Sequence, residues 1–525
     1  MTTRRAAGQR SAFDRTAYER ELTAFMAAHG QATYAALSGQ RDELLLEAAY
    51  ARHARLFDDA AIDALRKAAA GEDDDARRAG ALLAFAVEGN VAHQVVPLTE
   101  QIATAEAQAV IMWRGEPIPY REAAIRVERI SDRGERNRLQ ASYLEAMDAI
   151  NPLRHERLAA MHSAIAAAGY ADEMAMARDL HGVDVPALAA DLRQFLVESE
   201  TVYYAALRRY LAEIDIEQGD ASSADLSHLL RGGSWDAWFE PRRLMPVLSA
   251  TLGGLGIDLA GQSNVTLDVE ARERKSPRAF AVSIRVPQDV RMVLQPRGGH
   301  DDFETALHEL GHVEHRANTD ASQPVAWRLL GDGSVTEAYA FLLQYLVMEP
   351  AWLAEHLGMD ERAAIGWLDF AAFRKLVYLR RYAAKLLYEL RLHRDEEIEV
   401  ARSYYAGLLG LLVGVRQRDE RFLADLDDHF YAARYLRAWM LEGSLRASLQ
   451  ASHGATWWRD AGAGETLRRS WSVGQAWNAD DVVAHLGYDH LDWRPVLRQI
   501  RTRLIGEMSG YGGPNITTRA GTRKV

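Results

Sequence analysis

The run 302–315, Asp-Phe-Glu-Thr-Ala-Leu-His-Glu-Leu-Gly-His-Val-Glu-His, contains the residue types best suited to chemistry in this chain. His308 and His312 are four positions apart, so a helix places both imidazoles on one face, where they can bind the same metal ion. Glu309 follows the first histidine and can take a proton from a water molecule at that metal. The spacing predicts a zinc-dependent hydrolytic site.

A catalytic zinc ion needs a third protein ligand and an open coordination position. The run 331–341, Gly-Asp-Gly-Ser-Val-Thr-Glu-Ala-Tyr-Ala-Phe, begins a second helix, with Gly and Ser as start signals. Glu337 falls near the first turns of that helix. If the second helix packs across the first, Glu337 supplies the third ligand.

Two further residues of the motif helix have candidate roles beside the metal. Glu304 lies one turn before His308 and could accept the N–H of that ring, as carboxylates often do for ligand histidines. An exposed position on the helix surface is its alternative. His315 could be a fourth ligand, but its position three residues after His312 suits packing better, and we interpret it in that way.

The run 427–439, Asp-Asp-His-Phe-Tyr-Ala-Ala-Arg-Tyr-Leu-Arg-Ala-Trp, is the best source of a hydrogen-bond donor for a tetrahedral intermediate. Tyr431 and Tyr435 are four residues apart, so a helix brings their hydroxyls together. By spacing alone, a tyrosine pair of this kind is more often involved in packing than in catalysis.

Most of the chain has the apolar spacing of helices. The predicted helices cover 17–37, 41–56, 60–70, 75–92, 120–150, 153–168, 185–214, 363–394 and 399–415. Alternating and β-branched residues at 265–269, 279–286 and 290–294 predict a small antiparallel sheet just before the zinc motif. The run 218–233 is rich in Ser, Asp and Gly and is predicted to be a loop, a candidate lid or hinge. The fold class is therefore mainly α.

Composition excludes several classes of function. The chain has no cysteine, so disulfides and thiol catalysis are excluded and a metal site must use His and carboxylate ligands. The formal charge of −12 argues against a nucleic-acid partner. No apolar run has the length of a bilayer span, and the basic residues 1–13 are not followed by an apolar core. These features predict a cytoplasmic protein without a membrane partner.

Together these residues resemble the thimet oligopeptidase and oligoendopeptidase group, HExxH…E gluzincins, and more distantly angiotensin-converting enzyme. The segment from His308 to His312, with His315 and the spacing to Glu337, matches that group. The runs 151–157, 268–287 and 335–346 are also similar. The resemblance implies a single large helical body split by a deep channel, with zinc at its floor and a small antiparallel sheet beside the zinc site. Substrate backbone would lie against an edge strand at 279–286.

The resemblance covers residues 117–504. It implies a helical cap region at 1–116, a helical zinc-peptidase catalytic region at 117–508 and a flexible tail at 509–525. The Gly-, Thr- and Arg-rich composition of the last segment also predicts a frayed tail.

Roles for the tyrosine run also follow from the resemblance, because 429–435 is similar to the oligoendopeptidase run His-Phe-Tyr-x-x-Phe-Tyr. Tyr435 would stabilise the oxyanion, His429 would assist it and Tyr431 would support it. Arg434 stands where that run has Phe, and Arg437 where a further Tyr is often found. These departures concern substrate choice and the set of donors. The candidate carboxylate anchors Arg434, Arg437 and Lys275 have structural salt-bridge roles as their alternatives.

The prediction is a zinc metallopeptidase, an oligopeptidase that hydrolyses short peptides. Two alternatives stay open. The same zinc site could hydrolyse a non-peptide or specialised small-molecule amide, or the chain could be a non-catalytic peptide-binding protein. The second alternative is weaker because all three ligands and the base are present. The sequence indicates neither endo- nor exo-cleavage and no particular oligomeric state.

Overall fold

The computed structural model describes residues 13–41, 46–272, 275–276, 278–394 and 397–505. Within these ranges the chain is mainly helical, as the apolar spacing predicts, with two small sheets. The predicted tail 509–525 lies outside the described residues. The division of the chain between residues 116 and 117 stays a prediction.

The described part contains 21 α-helices, of which eleven precede the larger sheet. These eleven are α1 (Arg15–Leu37), α2 (Leu46–Arg52), α3 (Asp59–Ala68), α4 (Asp74–Gln108), α5 (Tyr120–Arg129), α6 (Arg133–Asp148), α7 (Asn151–Ala167), α8 (Glu173–His181), α9 (Val185–Ala212), α10 (Ser223–Leu230) and α11 (Leu244–Gly254). Those after the sheet are α12 (His300–Ala317), α13 (Val325–Leu329), α14 (Gly333–Gln344), α15 (Pro350–Trp352), α16 (Glu361–Leu392), α17 (Ile398–Val413), α18 (Tyr431–His453), α19 (Ala461–Ser472), α20 (Ala479–His485) and α21 (Arg494–Ile505).

Aspartate side chains begin several of the helices. Asp58, Asp73 and Asp132 each accept a hydrogen bond from a backbone N–H in the first turn of α3, α4 and α6. Such a cap stabilises a helix by about 1 kcal/mol. The cap at Asp132 divides the predicted helix 120–150 into α5 and α6, whereas α4 continues beyond its predicted end at 92.

Helix α4 is long and apolar enough to cross a membrane by length and composition, and 44% of its most apolar window is buried within the protein. Its side chains Leu82, Val87 and Val91 belong to a core shared with other helices. A helix of this composition is expected where both sides contact neighbouring helices. The absence of a membrane partner stays a prediction.

The N-terminal helices share this core with helices from later in the chain. Phe25 of α1 and Leu82 of α4 belong to the same cluster as Met161 of α7 and Leu409 of α17. A larger cluster is built around α12, α14, α16 and α18. The helices of the predicted cap are therefore packed against the body that carries the zinc motif.

The larger sheet directly precedes α12 and is mixed, not antiparallel as predicted. It consists of β3 (Val265–Asp268), β4 (Phe280–Arg285) and β5 (Asp289–Val293), with β5 in the centre. Strands β4 and β5 are antiparallel, but β3 and β5 are parallel. Residue alternation predicted the three strands, but it does not encode their order. The connection after β3 leads to the far side of β5, which makes β4 an edge strand.

A second, two-stranded sheet was not predicted. It pairs β1 (Val110–Trp113) with β2 (Glu116–Pro119) in antiparallel register. The two turn residues, Arg114 and Gly115, both have positive φ, as a tight hairpin turn requires.

The predicted loop at 218–233 is wrong, because the middle half of it is helix α10. The Ser and Asp residues that suggested a loop form its N-terminal cap. The Ser222 hydroxyl accepts from the backbone of Asp225, whose carboxylate accepts from the backbone of Ser222. Asp225 is also buried against Arg136 at 2.7 Å. The segment is thus anchored and is no candidate lid.

Candidate metal centre

The zinc motif lies on α12, which packs tightly across α14. Gly311 makes this contact possible, since a Cβ atom there would lie 2.5 Å from Cα of Ala340 and 2.7 Å from the carbonyl oxygen of Tyr339. Any larger residue would push the two helices apart. The glycine between the two motif histidines therefore sets the distance from α12 to the third predicted ligand on α14.

His308, His312 and Glu337 converge, as the sequence predicts. Oε2 of Glu337 lies 3.3 Å from Nε2 of His308 and 3.6 Å from Nε2 of His312. This oxygen is buried and makes no hydrogen bond, although two imidazole nitrogens face it. Two imidazoles and one carboxylate that meet at one point form a donor set that suits a divalent zinc ion. The residues present therefore fit the predicted metal.

The other nitrogen of each imidazole has a partner, but Glu304 is not one of them. Nδ1 of His308 lies 2.8 Å from Oε1 of Gln344, and Nδ1 of His312 lies 2.9 Å from the hydroxyl of Thr336. Both partners belong to α14. They orient the rings so that Nε2 points toward Glu337. Sequence reasoning missed both, although Gln344 lies seven residues after Glu337 and so shares its helix face.

The prediction for Glu304 is wrong because its carboxylate is engaged elsewhere. Glu304 is ion-paired with Arg374 of α16 and lies 3.2 Å from Nδ1 of His300. Burial raises the pKa of the Glu304 carboxyl, but Arg374 and His300 outweigh it and hold the pKa at about 2. Glu304 is therefore part of the packing between α12 and α16.

Glu309 lies between the motif helix and the edge strand. Its Oε2 accepts a hydrogen bond of 2.8 Å from the backbone N–H of Ala281 on β4. The same carboxylate lines a cavity of about 610 Å³ together with His312 and Glu337. The candidate base thus faces the cavity, and the edge strand fixes its orientation.

Tyr431 and Tyr435 lie on the first turns of α18, with ring centroids 5.0 Å apart. The Tyr431 hydroxyl donates to Oε1 of Glu337 at 2.8 Å, so this tyrosine supports the third candidate ligand directly. Tyr435 packs against Phe341 and Tyr382. Burial and the carboxylate of Glu337 raise the pKa of Tyr435, which keeps its hydroxyl protonated.

His429 is not among the residues that line the cavity. Its backbone N–H donates to Oε1 of Glu173 at 2.7 Å, and its Nδ1 lies 3.2 Å from the same oxygen. Both His429 and Phe430 have positive φ, a backbone conformation that is uncommon for residues other than glycine. The structure therefore places His429 at the sharp turn before α18, with Glu173 beside it.

The three candidate carboxylate anchors are all ion-paired within the protein. Arg434 lines the cavity and lies 3.1 Å from Glu88. Arg437 lies 2.9 Å from Asp480, and Lys275 is buried 2.9 Å from Asp268. These contacts agree with the structural alternative for each residue.

His315 is buried and packs against Tyr339, with ring centroids 4.9 Å apart. Its Nε2 lies 3.1 Å from the carbonyl oxygen of Gly474. Burial lowers the pKa of His315 to about 3, so the ring is neutral and donates to this carbonyl. The packing interpretation of His315 agrees with this position.

Arg316 is a cavity residue that the sequence analysis did not single out. It follows His312 by one turn of α12, and its Nη1 lies 3.4 Å from the Ser283 hydroxyl on β4. Within the described ranges, no carboxylate lies within ion-pair distance of it. Two other cavity arginines, Arg77 and Arg434, do have carboxylate partners. Arg316 is therefore a cation beside the candidate base that makes no direct ion pair, although the carboxylates of Glu337 and Glu309 lie near enough to attract it.

Comparisons with known proteins place the fold. No protein-family model and no curated protein matches the sequence. Among solved structures, the Pyrococcus furiosus carboxypeptidase in its Apo-Mg form is 13% identical, with 93% of this chain and 97% of that chain covered at a TM-score of 0.60. The M32 carboxypeptidase from Deinococcus radiodurans R1 is 15% identical, with the same coverage and a TM-score of 0.61.

The chain has the fold of these carboxypeptidases. Identities of 13% and 15% are too low to show more than the fold. The match extends over nearly the whole length of both partners and agrees with the predicted mainly α body. Both neighbours are named as carboxypeptidases, whereas the sequence resemblance leads to the thimet oligopeptidase group.

Proposed function

We propose that this chain is a zinc-dependent peptidase that hydrolyses amide bonds in short peptides. The observation that supports this most strongly is the convergence of His308, His312 and Glu337 on one point, with Glu309 beside them. Zinc held by these three residues would supply Lewis-acid chemistry, polarising the scissile carbonyl and lowering the pKa of a water molecule. The cavity of about 610 Å³ has the volume of a small-molecule site and suits a short peptide.

Glu309 is the proposed general base and acid. Its carboxylate takes a proton from the attacking water as the water oxygen bonds to the carbonyl carbon. It then gives that proton to the amine as the carbon–nitrogen bond breaks. The hydrogen bond from Ala281 holds Glu309 beside β4. Because β4 is an edge strand, a peptide can add to it in extended form. Its scissile carbonyl would then lie next to the water molecule from which Glu309 takes the proton.

Tyr435 is the proposed oxyanion donor. The Tyr431 hydroxyl is already engaged by Glu337, whereas Tyr435 lies on the next turn and carries a protonated hydroxyl. His429 is proposed as a positioning residue, since it contacts Glu173 at the turn that begins α18. The role that the resemblance implies for His429 is thus changed from direct assistance to support of the tyrosine helix.

The test combines metal analysis with peptide cleavage. Wild-type protein is incubated with a mixed library of short peptides, with and without a chelator, and Glu337→Ala serves as the metal-site variant. We expect chelator-sensitive cleavage by the wild type. The Glu337→Ala variant should be inactive and contain one zinc equivalent per chain less than the wild type.

Other outcomes would favour the alternatives. Zinc at this site without cleavage of any peptide would favour a non-peptide amide as substrate. The proposed site would be overturned if folded wild-type protein, never exposed to a chelator, contained no more zinc than Glu337→Ala.

A second candidate function is removal of residues from the peptide C-terminus, and Arg316 favours it. Its guanidinium faces the cavity next to Glu309 and makes no direct ion pair among the described residues. Arginine binds carboxylates through two parallel hydrogen bonds. A terminal carboxylate held there would lie close to the candidate metal centre, which agrees with the activity named for both fold neighbours.

Matched peptides separate this candidate from internal cleavage. Each peptide is prepared with a free and with an amidated C-terminus. We expect the wild type to prefer the free carboxylate by at least tenfold in kcat/KM and Arg316→Gln to lose this preference. Arg77→Gln is the control, because Arg77 lines the same cavity but is paired with Asp481. Equal cleavage of both forms by the wild type would leave the peptidase proposal standing and refute C-terminal recognition.

A further inference from the structure

A second group of metal-ligating side chains lies where α7, α8 and the end of α16 meet. His162 belongs to α7, Glu173 begins α8 and His393 directly follows α16. One ligand atom of each residue lies within 4.8 Å of the other two. Across the described ranges, only this group and the candidate metal centre bring three His or carboxylate ligands so close together.

Nδ1 of His393 is the central atom of this group. It lies 3.0 Å from Nε2 of His162 and 2.8 Å from Oε2 of Glu173. A ring nitrogen carries either one proton or one lone pair, so Nδ1 cannot donate to the carboxylate and accept from the second imidazole at the same time. Oε2 of Glu173 makes no hydrogen bond in spite of the short distance. A single proton on Nδ1 therefore has to be shared between the two contacts, and Oε2 of Glu173 keeps capacity for a further partner.

The candidate metal centre brings together the same three types of donor atom, but there the carboxylate oxygen is the central atom. There, Oε2 of Glu337 is buried without a hydrogen bond and faces Nε2 of His308 and of His312. In both groups, one carboxylate oxygen and two imidazole nitrogens converge on a single point. In both, a cation would satisfy all three atoms together.

The carboxylate of Glu173 is enclosed by protein, so an ionised form of it needs a positive partner inside the fold. The side chains of Glu173 and His393 are fully buried. A buried charge is costly unless it is paired or coordinates a metal.

We propose that His162, Glu173 and His393 form a second metal site, which binds zinc as a structural ion. Two imidazoles and one carboxylate are zinc ligands, whereas calcium and magnesium prefer oxygen ligands alone. Structural zinc usually has four protein ligands. His429 is the candidate for the fourth, because its Nδ1 lies 3.2 Å from Oε1 of Glu173 and makes no hydrogen bond.

The location of this site indicates what the ion does. Oε1 of Glu173 accepts the backbone N–H of His429, and both His429 and Phe430 have positive φ. This turn leads directly into α18, where Tyr431 and Tyr435 lie on the first turns. An ion on Glu173 would hold the turn in its unusual conformation. It would link α7, α8 and α16 to the start of the helix that carries the tyrosines.

A variant without the candidate metal centre isolates the second site. The double variant His308→Ala/His312→Ala is equilibrated with Zn²⁺, desalted and analysed for metal. We expect about one zinc per chain, which is lost when Glu173→Gln or His162→Ala is added. His155→Ala is the matched control, since His155 is exposed on the same helix, α7, and its removal should leave the zinc in place. Circular dichroism verifies that each variant is folded.

A second measurement covers the case in which Glu173→Gln does not fold. The double variant is titrated with Zn²⁺ while its Tm is recorded, and Co²⁺ replaces Zn²⁺ as a spectroscopic probe. A rise in Tm together with a tetrahedral Co²⁺ spectrum supports the site. A folded double variant that binds no zinc and shows no rise in Tm overturns it, as does zinc that persists after Glu173→Gln. None of these readouts depends on peptide cleavage, so the proposal is independent of the proposed function.

Discussion

At the scale of single residues, each side chain of the candidate metal centre uses one polar atom for a hydrogen bond within the protein. Its second polar atom points toward the other candidate ligands. Oε1 of Glu337 accepts from Tyr431, whereas Oε2 faces the two histidines. Burial raises the pKa of Glu337, but His312 and His308 outweigh it and hold the pKa well below its usual range. Glu337 is therefore ionised and oriented before any metal arrives. Preorganisation of this kind is what a catalytic site needs.

If Glu309 is the general base, its substitution should lower the rate of peptide hydrolysis without changing zinc binding. Glu309→Gln keeps the size of the side chain and an oxygen that can accept from Ala281, but it removes the basic carboxylate. We expect unchanged zinc content and a fall in kcat/KM of roughly 10²–10⁴-fold, the usual contribution of a general base. Metal analysis and peptide kinetics on the same preparation measure both. Cleavage near the wild-type rate would show that another group accepts the proton.

Substitution of the two tyrosines should have different effects, on the catalytic rate for Tyr435 and on zinc affinity for Tyr431. Tyr435→Phe removes the proposed oxyanion donor, so kcat should fall about 10²–10³-fold while zinc affinity stays the same. Tyr431→Phe removes the hydrogen bond to Glu337, so zinc affinity should fall about 10–100-fold. Zinc titration and kinetics under saturating zinc distinguish the two effects. Equal kcat for Tyr435→Phe and wild type would remove Tyr435 from the donor set.

At the scale of elements, α12 contributes three of its sides to different neighbours. The two candidate ligand histidines face α14, which approaches closely at Gly311. Glu309 faces β4, and Glu304 faces Arg374 on α16. Each side of α12 contacts a different element. The position of a residue along α12 therefore tells which of these contacts a substitution there would change.

Glu314 on α12 predicts a measurable effect of pH on stability. Burial raises the pKa of this carboxyl to about 7, although Gln262 and Asn318 donate to its Oε2. The folded state keeps the proton at pH values where the unfolded chain, with the ordinary glutamate pKa of about 4.5, has already lost it. The contribution of Glu314 to stability is therefore full below about pH 4.5 and lost as the pH rises to about 7, by about 3 kcal/mol in all.

The variant Glu314→Gln tests this prediction, because glutamine stays neutral and keeps an acceptor for Asn318. Its free energy of unfolding should be close to that of the wild type at pH 5 and higher at pH 8. Denaturant unfolding at both values measures the difference. A difference between variant and wild type that does not change with pH would contradict the raised pKa.

At the scale of the whole molecule, buried ion pairs connect helices that are distant in sequence. Glu442 of α18 accepts from Lys375 of α16 at 2.9 Å and from Arg446 at 2.6 Å. Arg446 also donates to Glu349 at 2.8 Å, in the segment that follows α14. All these side chains are almost fully buried. The network fixes how the helices around the candidate metal centre are arranged.

Removal of Glu442 predicts a large loss of stability. Glu442→Leu leaves Lys375 and Arg446 buried with too few partners, and we expect destabilisation of about 3–5 kcal/mol. Denaturant unfolding of variant and wild type gives the value. The control is Glu122→Gln, which breaks an exposed pair with Arg126 on α5 and should change stability far less. Similar losses for the two variants would show that burial of the network contributes little.

The sequence by itself determined the elements and residues whose pattern is local. His308 and His312 share a face because four residues make about one helical turn, and three strands could be predicted from alternation at 265–294. Capping residues were harder to interpret from the sequence, since residues such as Ser222 and Asp225 can begin a helix or belong to a loop. That ambiguity explains why α10 was predicted as a loop.

Only the tertiary structure decided which distant residues meet. Gln344, not Glu304, contacts His308, because the packing of α12 across α14 and α16 determines which side chain reaches which nitrogen. The position of β4 at the edge of the sheet and the convergence of His162 with Glu173 and His393 also depend on contacts between separate elements. Local spacing constrains residues within one turn or one strand. Contacts between elements result from packing of the whole chain, which periodicity does not encode.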